Sequence, residues 1–91
     1  MKNPPLYRRL HILFFISGFT AVTGTLSTTV CTTDITGYAN DELIGRVIIF
    51  TGGTASGQAA AITDYASASG TVTFSGGITT APANLDAFVI V

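Results

Sequence analysis

Two segments of this chain are apolar on both sides, and that feature constrains its fold most. In Val47-Ile48-Ile49-Phe50 the pairs Val47/Ile49 and Ile48/Phe50 point to opposite faces of an extended strand. In the final stretch Ala87, Val89 and Val91 oppose Phe88 and Ile90. The whole chain has 91 residues, and a body of about 65 residues buries only about 60% of the surface its unfolded chain exposes. Such a body does not easily cover both faces of two strands. Either the sheet curls into a barrel closed under a loop, or a partner covers the outer face.

Composition narrows the function classes. Charged residues are 10% and hydrophobic residues 47%, with mean hydropathy +0.54. This excludes a disordered charged tail. Four basic residues cannot neutralise many phosphates, which argues against nucleic-acid binding. One cysteine supports neither a disulfide framework nor a cysteine zinc cluster.

Charge is segregated along the chain. Residues 1–24 hold Lys2, Arg8 and Arg9 and no acid; residues 25–91 hold Arg46 against Asp34, Asp41, Glu42, Asp64 and Asp86. A boundary near Gly24 is expected, separating a basic and apolar segment, 1–24, from a small all-β domain, 25–91. The segment combines a basic opening with the apolar run Leu10 to Phe19 and small residues from Ala21 to Gly24. That anatomy fits a secretory signal, and the run is too short for a membrane span. His11 inside the run and the lack of an Ala-x-Ala site depart from it. The other readings are an arm that packs on a neighbouring subunit and an upstream extension of the reading frame.

The body reads as strands joined by turns. Expected strands are Thr25 to Cys31 (Leu26 and Val30 on one face), Arg46 to Thr51, Gly57 to Tyr65, Gly70 to Ser75 (Val72 and Phe74 inward) and Leu85 to Val91. In the third, alternation places Ala59, Ala61, Thr63 and Tyr65 opposite Gln58, Ala60, Ile62 and Asp64. Gly52–Gly57, Ala66–Ser69 and Gly76–Asn84 are connectors, with Gly70 suited to a positive φ. Asn40 to Leu43 suggests a single helical turn capped by Asn40 or Asp41. The expected fold is an all-β antiparallel meander of about five strands, closing into a small barrel or sandwich. The last strand is a candidate exposed edge.

No segment carries a convincing catalytic or ligand signature. Gly52 to Gln58 follows a strand as a phosphate loop would, but Gln58 stands where that loop needs Lys, and Ala59 where it needs Ser or Thr. Asp41 and Glu42 suit cap or solvation duty; Asp34, Asp64 and Asp86 lie at strand or turn edges, where Asx hydrogen bonds are usual. His11 has no activating neighbour, Cys31 reads as a small buried hydrophobe, and Tyr38 and Tyr65 read as packing residues. No catalytic residue, cofactor or metal ligand is expected.

Several short pieces follow one another in a distinctive order and spacing: Thr25 to Asp34, Ala39-Asn40-Asp41-Glu42-Leu43-Ile44-Gly45, Val47 to Thr51, Gly53 to Gln58, Ile62-Thr63-Asp64-Tyr65, Gly70 to Thr73, and Thr80-Ala81-Pro82. In this order Gly24 to Val91 resembles a small β module of tailed-bacteriophage virion proteins, those of tail, fibre or head. The chain departs from that module where Ala59-Ala60-Ala61 replaces an expected Arg, and in its segment 1–24. The resemblance implies a non-enzymatic structural protein of a phage or prophage particle, located in the virion. Its partners would be other virion proteins or copies of itself, without nucleic acid or a small-molecule substrate. The expected contact residues are Ile48, Phe50, Phe88 and Ile90. The alternative is an exported bacterial β-domain, secreted or periplasmic, that touches the membrane only while residues 1–24 act as a signal.

Overall fold

A computed structural model of the chain describes residues 16–21 and 24–91. The opening Met1–Phe15, including His11 and most of the apolar run, lies outside them. The described residues form an all-β structure with strands β1 (Ile16–Phe19), β2 (Val30–Thr32), β3 (Val47–Phe50), β4 (Ala59–Ala66), β5 (Thr71–Ser75) and β6 (Ala87–Ile90). The strands make one six-stranded sheet in the order β1-β6-β3-β4-β5-β2, with every pairing antiparallel. Only β3, β4 and β5 form a meander. β6 returns by the long 76–86 connection to lie beside β3, giving the Greek-key order 6-3-4-5. The sheet curls into a half-barrel, and its two edge strands meet at one end. There Thr20 bridges Thr33, and the Ala21 N–H donates to the Thr32 carbonyl at 2.9 Å.

The curl gives the sheet a dry concave face. Ile48 and Phe50 from β3, Ile62 and Tyr65 from β4, Val72 and Phe74 from β5, and Phe88 and Ile90 from β6 are buried there. Phe50 is the hub. Its ring meets Phe74 at 6.0 Å and Phe88 at 6.2 Å between centroids, both edge-on, the arrangement favoured by the ring quadrupole. Loop residues Ile35, Leu43, Ala55 and Ile78 complete the core. Non-strand segments therefore cover the open side of the half-barrel.

β4 breaks its own alternation. Ile62 pairs with Phe74 and Asp64 with Thr73, so Thr63 is an extra residue, a β-bulge. The bulge leaves Thr63 and Asp64 exposed and delivers Tyr65 to the interior. Strict alternation would have turned Asp64 inward and Tyr65 outward. The bulge spares a carboxylate from desolvation and adds a large ring to the core.

Other expectations need correction. The Thr25–Cys31 strand is mostly a tight hairpin leading into β2. Ser27 Oγ accepts the Thr29 and Val30 N–H groups at 3.2 and 3.1 Å, a hydroxyl turn that competes with extended pairing. The final strand β6 is not an edge, because it lies between β1 and β3. Residues 40–45 form turns, not a helical turn. Asp41 sits at φ 64, Asn40 Oδ1 accepts the Ser67 N–H at 2.8 Å, and Glu42 Oε1 accepts the Ala39 N–H at 2.7 Å. The composition break near Gly24 is not a break in the sheet, because β1 precedes it and pairs with β6 over its whole length.

Candidate interaction surface

The four residues expected to make contacts, Ile48, Phe50, Phe88 and Ile90, are all inside. None is more than 1% exposed, so they build the core and cannot meet a partner while the domain is folded. Both strands are apolar on two faces, as the residue pattern implies, but the concave face took the larger side chains.

The opposite set of side chains forms the convex face, and strand register aligns it in rows. One row runs Ser17–Val89–Ile49–Ala59 across β1, β6, β3 and β4. A second runs Val91–Val47–Ala61–Ser75. Here Val47 and Val91 exchange backbone bonds of 3.2 and 2.9 Å, Val47 pairs with Ala61, and Ala61 pairs with Ser75. A third pairs Phe19 with Ala87. Phe19 is 49% and Val91 48% exposed. Ala59 and Ala61 are exposed, while Val47, Ile49, Ala87 and Val89 are half-buried. These rows contain no charged residue. A contiguous apolar sheet face of this kind marks an interaction surface more often than chance exposure does.

One end of this face is hollowed. A groove of ≈ 250 Å³ is lined by Ser17, Phe19, Ala87, Val89 and Thr51 together with Asp34. Asp34 is held there by a reciprocal pair of bonds to β1. Its Oδ1 accepts the Phe19 N–H at 2.9 Å, and its own N–H donates to the Phe19 carbonyl at 3.1 Å. The exposed Asp34 thus sets a carboxylate beside an apolar trough.

The same end is tied down by Asp86, which is buried. Its Oδ2 accepts N–H groups from Ala83 at 2.8 Å and Thr54 at 3.2 Å. Its backbone N–H donates to Thr20 Oγ1 at 2.9 Å, and that hydroxyl donates to the Ala83 carbonyl. One side chain therefore fastens the β3–β4 turn to the loop before β6. Gly53 makes this possible. It holds φ +79, and a Cβ there would lie 1.9 Å from Asp86 Oδ1. Asp86 accepts backbone N–H groups, as expected of an aspartate at a strand edge. Gln58, which disqualified the phosphate loop, has a comparable tying role: its Oε1 accepts the Thr79 N–H at 2.6 Å.

At the far end, sequence reasoning missed a carboxylate pair. Asp41 and Asp64 are 23 positions apart in sequence, and the fold places their side chains in hydrogen-bond contact. The shared bond with Asp64 raises the Asp41 pKa above its ordinary value, helped by desolvation and the neighbouring charge, while a backbone bond from Tyr65 opposes. Only the turn at 40–45 and the β4 bulge bring the two together, so no local motif could have revealed them. Cys31 is buried, as its strand context suggested, and burial pushes its thiol up to about 12. Among the described residues no three His, Cys, Asp or Glu side chains converge in a way that could hold a metal ion. Compared with protein-family models, curated proteins and solved structures, the chain finds no match.

Proposed function

We propose that this chain is an assembly module that acts by docking to other chains through the convex face of β1, β6, β3 and β4. In line with its resemblance to virion modules, we place it in a tailed-phage or prophage particle. The carrying observation is the uncharged apolar face with Phe19 and Val91 half-exposed at its margins. An apolar sheet face in water gains by association, at roughly 25 cal/mol for each Å² covered. The groove beside Asp34 adds a shaped recess and a single charge, which would fix the orientation of what docks. Against export with cleavage between Ala21 and Gly24 stands β1, a paired strand that such cleavage would remove.

The test is the mass of the full chain in solution, with and without charges on the face. Val47→Lys and Val89→Lys alter convex-face side chains that are already partly in water. The folded monomer is expected to tolerate them while assembly is lost. A native chain that stays monomeric at millimolar concentration would refute the reading. So would an assembly that both substitutions leave intact. Purified particles from the encoding host, tested for this chain by mass spectrometry, check the virion placement separately.

A further inference from the structure

The apolar rows supply only part of what a dimer interface on the convex face would need. That face offers eight apolar side chains along its rows, whereas a stable interface uses about 20–30 residues a side. Something must extend it. The chain supplies a candidate in residues 1–15, which join the sheet at Ile16 in β1, itself part of that face. Their charge complements the sheet domain. Residues 1–15 carry Lys2, Arg8 and Arg9 and no acid; residues 16–91 carry one base, Arg46, against five acids. One of those acids, Asp34, lines the groove. Within the segment, the run Leu10 to Phe15 is apolar apart from His11, matching the uncharged rows.

Chain direction favours a second copy as the one that receives the segment. β1 runs antiparallel to β6, with Ile16 opposite Ile90 and Phe19 opposite Ala87. The segment therefore joins β1 at the Val91 end of the face, while Phe19 and Asp34 lie at the other end. To reach its own Asp34, Arg8 or Arg9 would have to double back along β1. Leu6 to Phe15 contains no Gly, Pro, Asn, Asp or Ser, the residues that make tight reversals. Fully extended, fifteen residues span about 50 Å, and four strands are about 14 Å across. The segment is long enough to cross the face of a neighbour.

We propose that residues 1–15 of one copy dock on the convex face of a second copy. Arg8 or Arg9 meets the partner's acidic groove at the Asp34 position, and Leu10 to Phe15 covers Ile49 and Val89. This rests on the assembly reading above and names the partner as a second copy of this chain.

The test uses the full-length chain with a photo-crosslinking p-benzoylphenylalanine in place of Tyr7. Equal amounts of ¹⁴N- and ¹⁵N-labelled protein are co-refolded and irradiated. Crosslinks from residue 7 to peptides containing Asp34, Ile49 or Val89, with about half joining the two isotopes, are the expected result. Single-isotope crosslinks to that face would mean docking within one chain, and crosslinks to other regions would mean another site; either overturns the proposal. Independently, the double substitution Arg8→Glu, Arg9→Glu should weaken self-association about tenfold or more, as expected for the loss of a charge pair at an apolar interface. Association changed less than twofold, in a chain whose assembly Val89→Lys still abolishes, would overturn the arm's role and leave the assembly reading standing. A monomeric parent chain would remove both.

Discussion

Individual side chains in this protein do structural work through hydrogen bonds and titration. Asp41 is the clearest case. Its pKa is raised chiefly by the bond it shares with Asp64, so the folded state holds a proton more tightly than the unfolded one. The stabilisation from that proton is complete below the ordinary carboxylate value and is lost as pH rises through the elevated folded value. Once that proton is lost, the Asp41 carboxylate is held against Asp64. Asp64→Asn retains an Oδ1 that can accept the Tyr65 N–H, a bond now at 2.9 Å, and removes the opposing charge. The variant should melt at a higher temperature than the parent at pH 7. That advantage should shrink on acidification, as Asp41 in the parent takes up the proton of its bond with Asp64. Melting curves from pH 7 downward check it, and a constant difference at every pH would contradict the shared proton. Cys31 offers a second check. With its thiol pushed up to about 12, about one part in ten thousand is thiolate at pH 8. Iodoacetamide should leave native Cys31 unmodified over hours and react promptly once denaturant is added. Rapid labelling of the native chain would show that the β2 strand opens readily.

At the scale of elements, β1 has the largest consequence for function. It pairs with β6 through four residue pairs. Its continuation at Thr20 bridges Thr33 and receives the Asp86 N–H. A chain cut to residues 25–91 would therefore expose the whole β6 edge and leave the Asp86 N–H without its hydroxyl acceptor. Each lost buried bond costs about 1 kcal/mol net, and an uncovered edge invites pairing with other chains. The truncated chain should unfold at markedly lower urea and aggregate more than the full chain. Equal midpoints would show that β1 contributes little. The composition break near Gly24 misled the reading of this region because charge and apolar runs report on solvent exposure and processing. Strand pairing depends on what lies opposite, and for β1 that is β6, about 70 residues later in the sequence.

For the molecule as a whole, we propose opposite tasks for the two faces of one sheet. The concave face holds Phe50 between two other rings, so Phe50→Ala should cost about 3–5 kcal/mol of stability. Val89→Lys, on the convex face, should cost the isolated domain little and act on assembly instead. Equilibrium unfolding of both variants, beside their masses in solution, separates the roles. A folding cost for Val89→Lys as large as that of Phe50→Ala would mean that the convex face is also core. Local sequence made much of this legible. β-branched and aromatic runs marked β3, β5 and β6, Gly70 took its positive φ, and double-sided apolarity flagged an uncovered face. Which face lay inside was not legible, because a two-residue period gives two equal sets and no sign. Curvature chose between them: the concave side of a half-barrel is enclosed by neighbours and loops, and it took Ile48, Phe50, Phe88 and Ile90. The sequence by itself thus determined an all-β chain with two strands apolar on both faces. Tertiary structure alone decided the strand order, the bulge that turns Tyr65 inward, and the meeting of Asp41 with Asp64. Each of these depends on contacts between residues far apart in the chain, which no local pattern encodes.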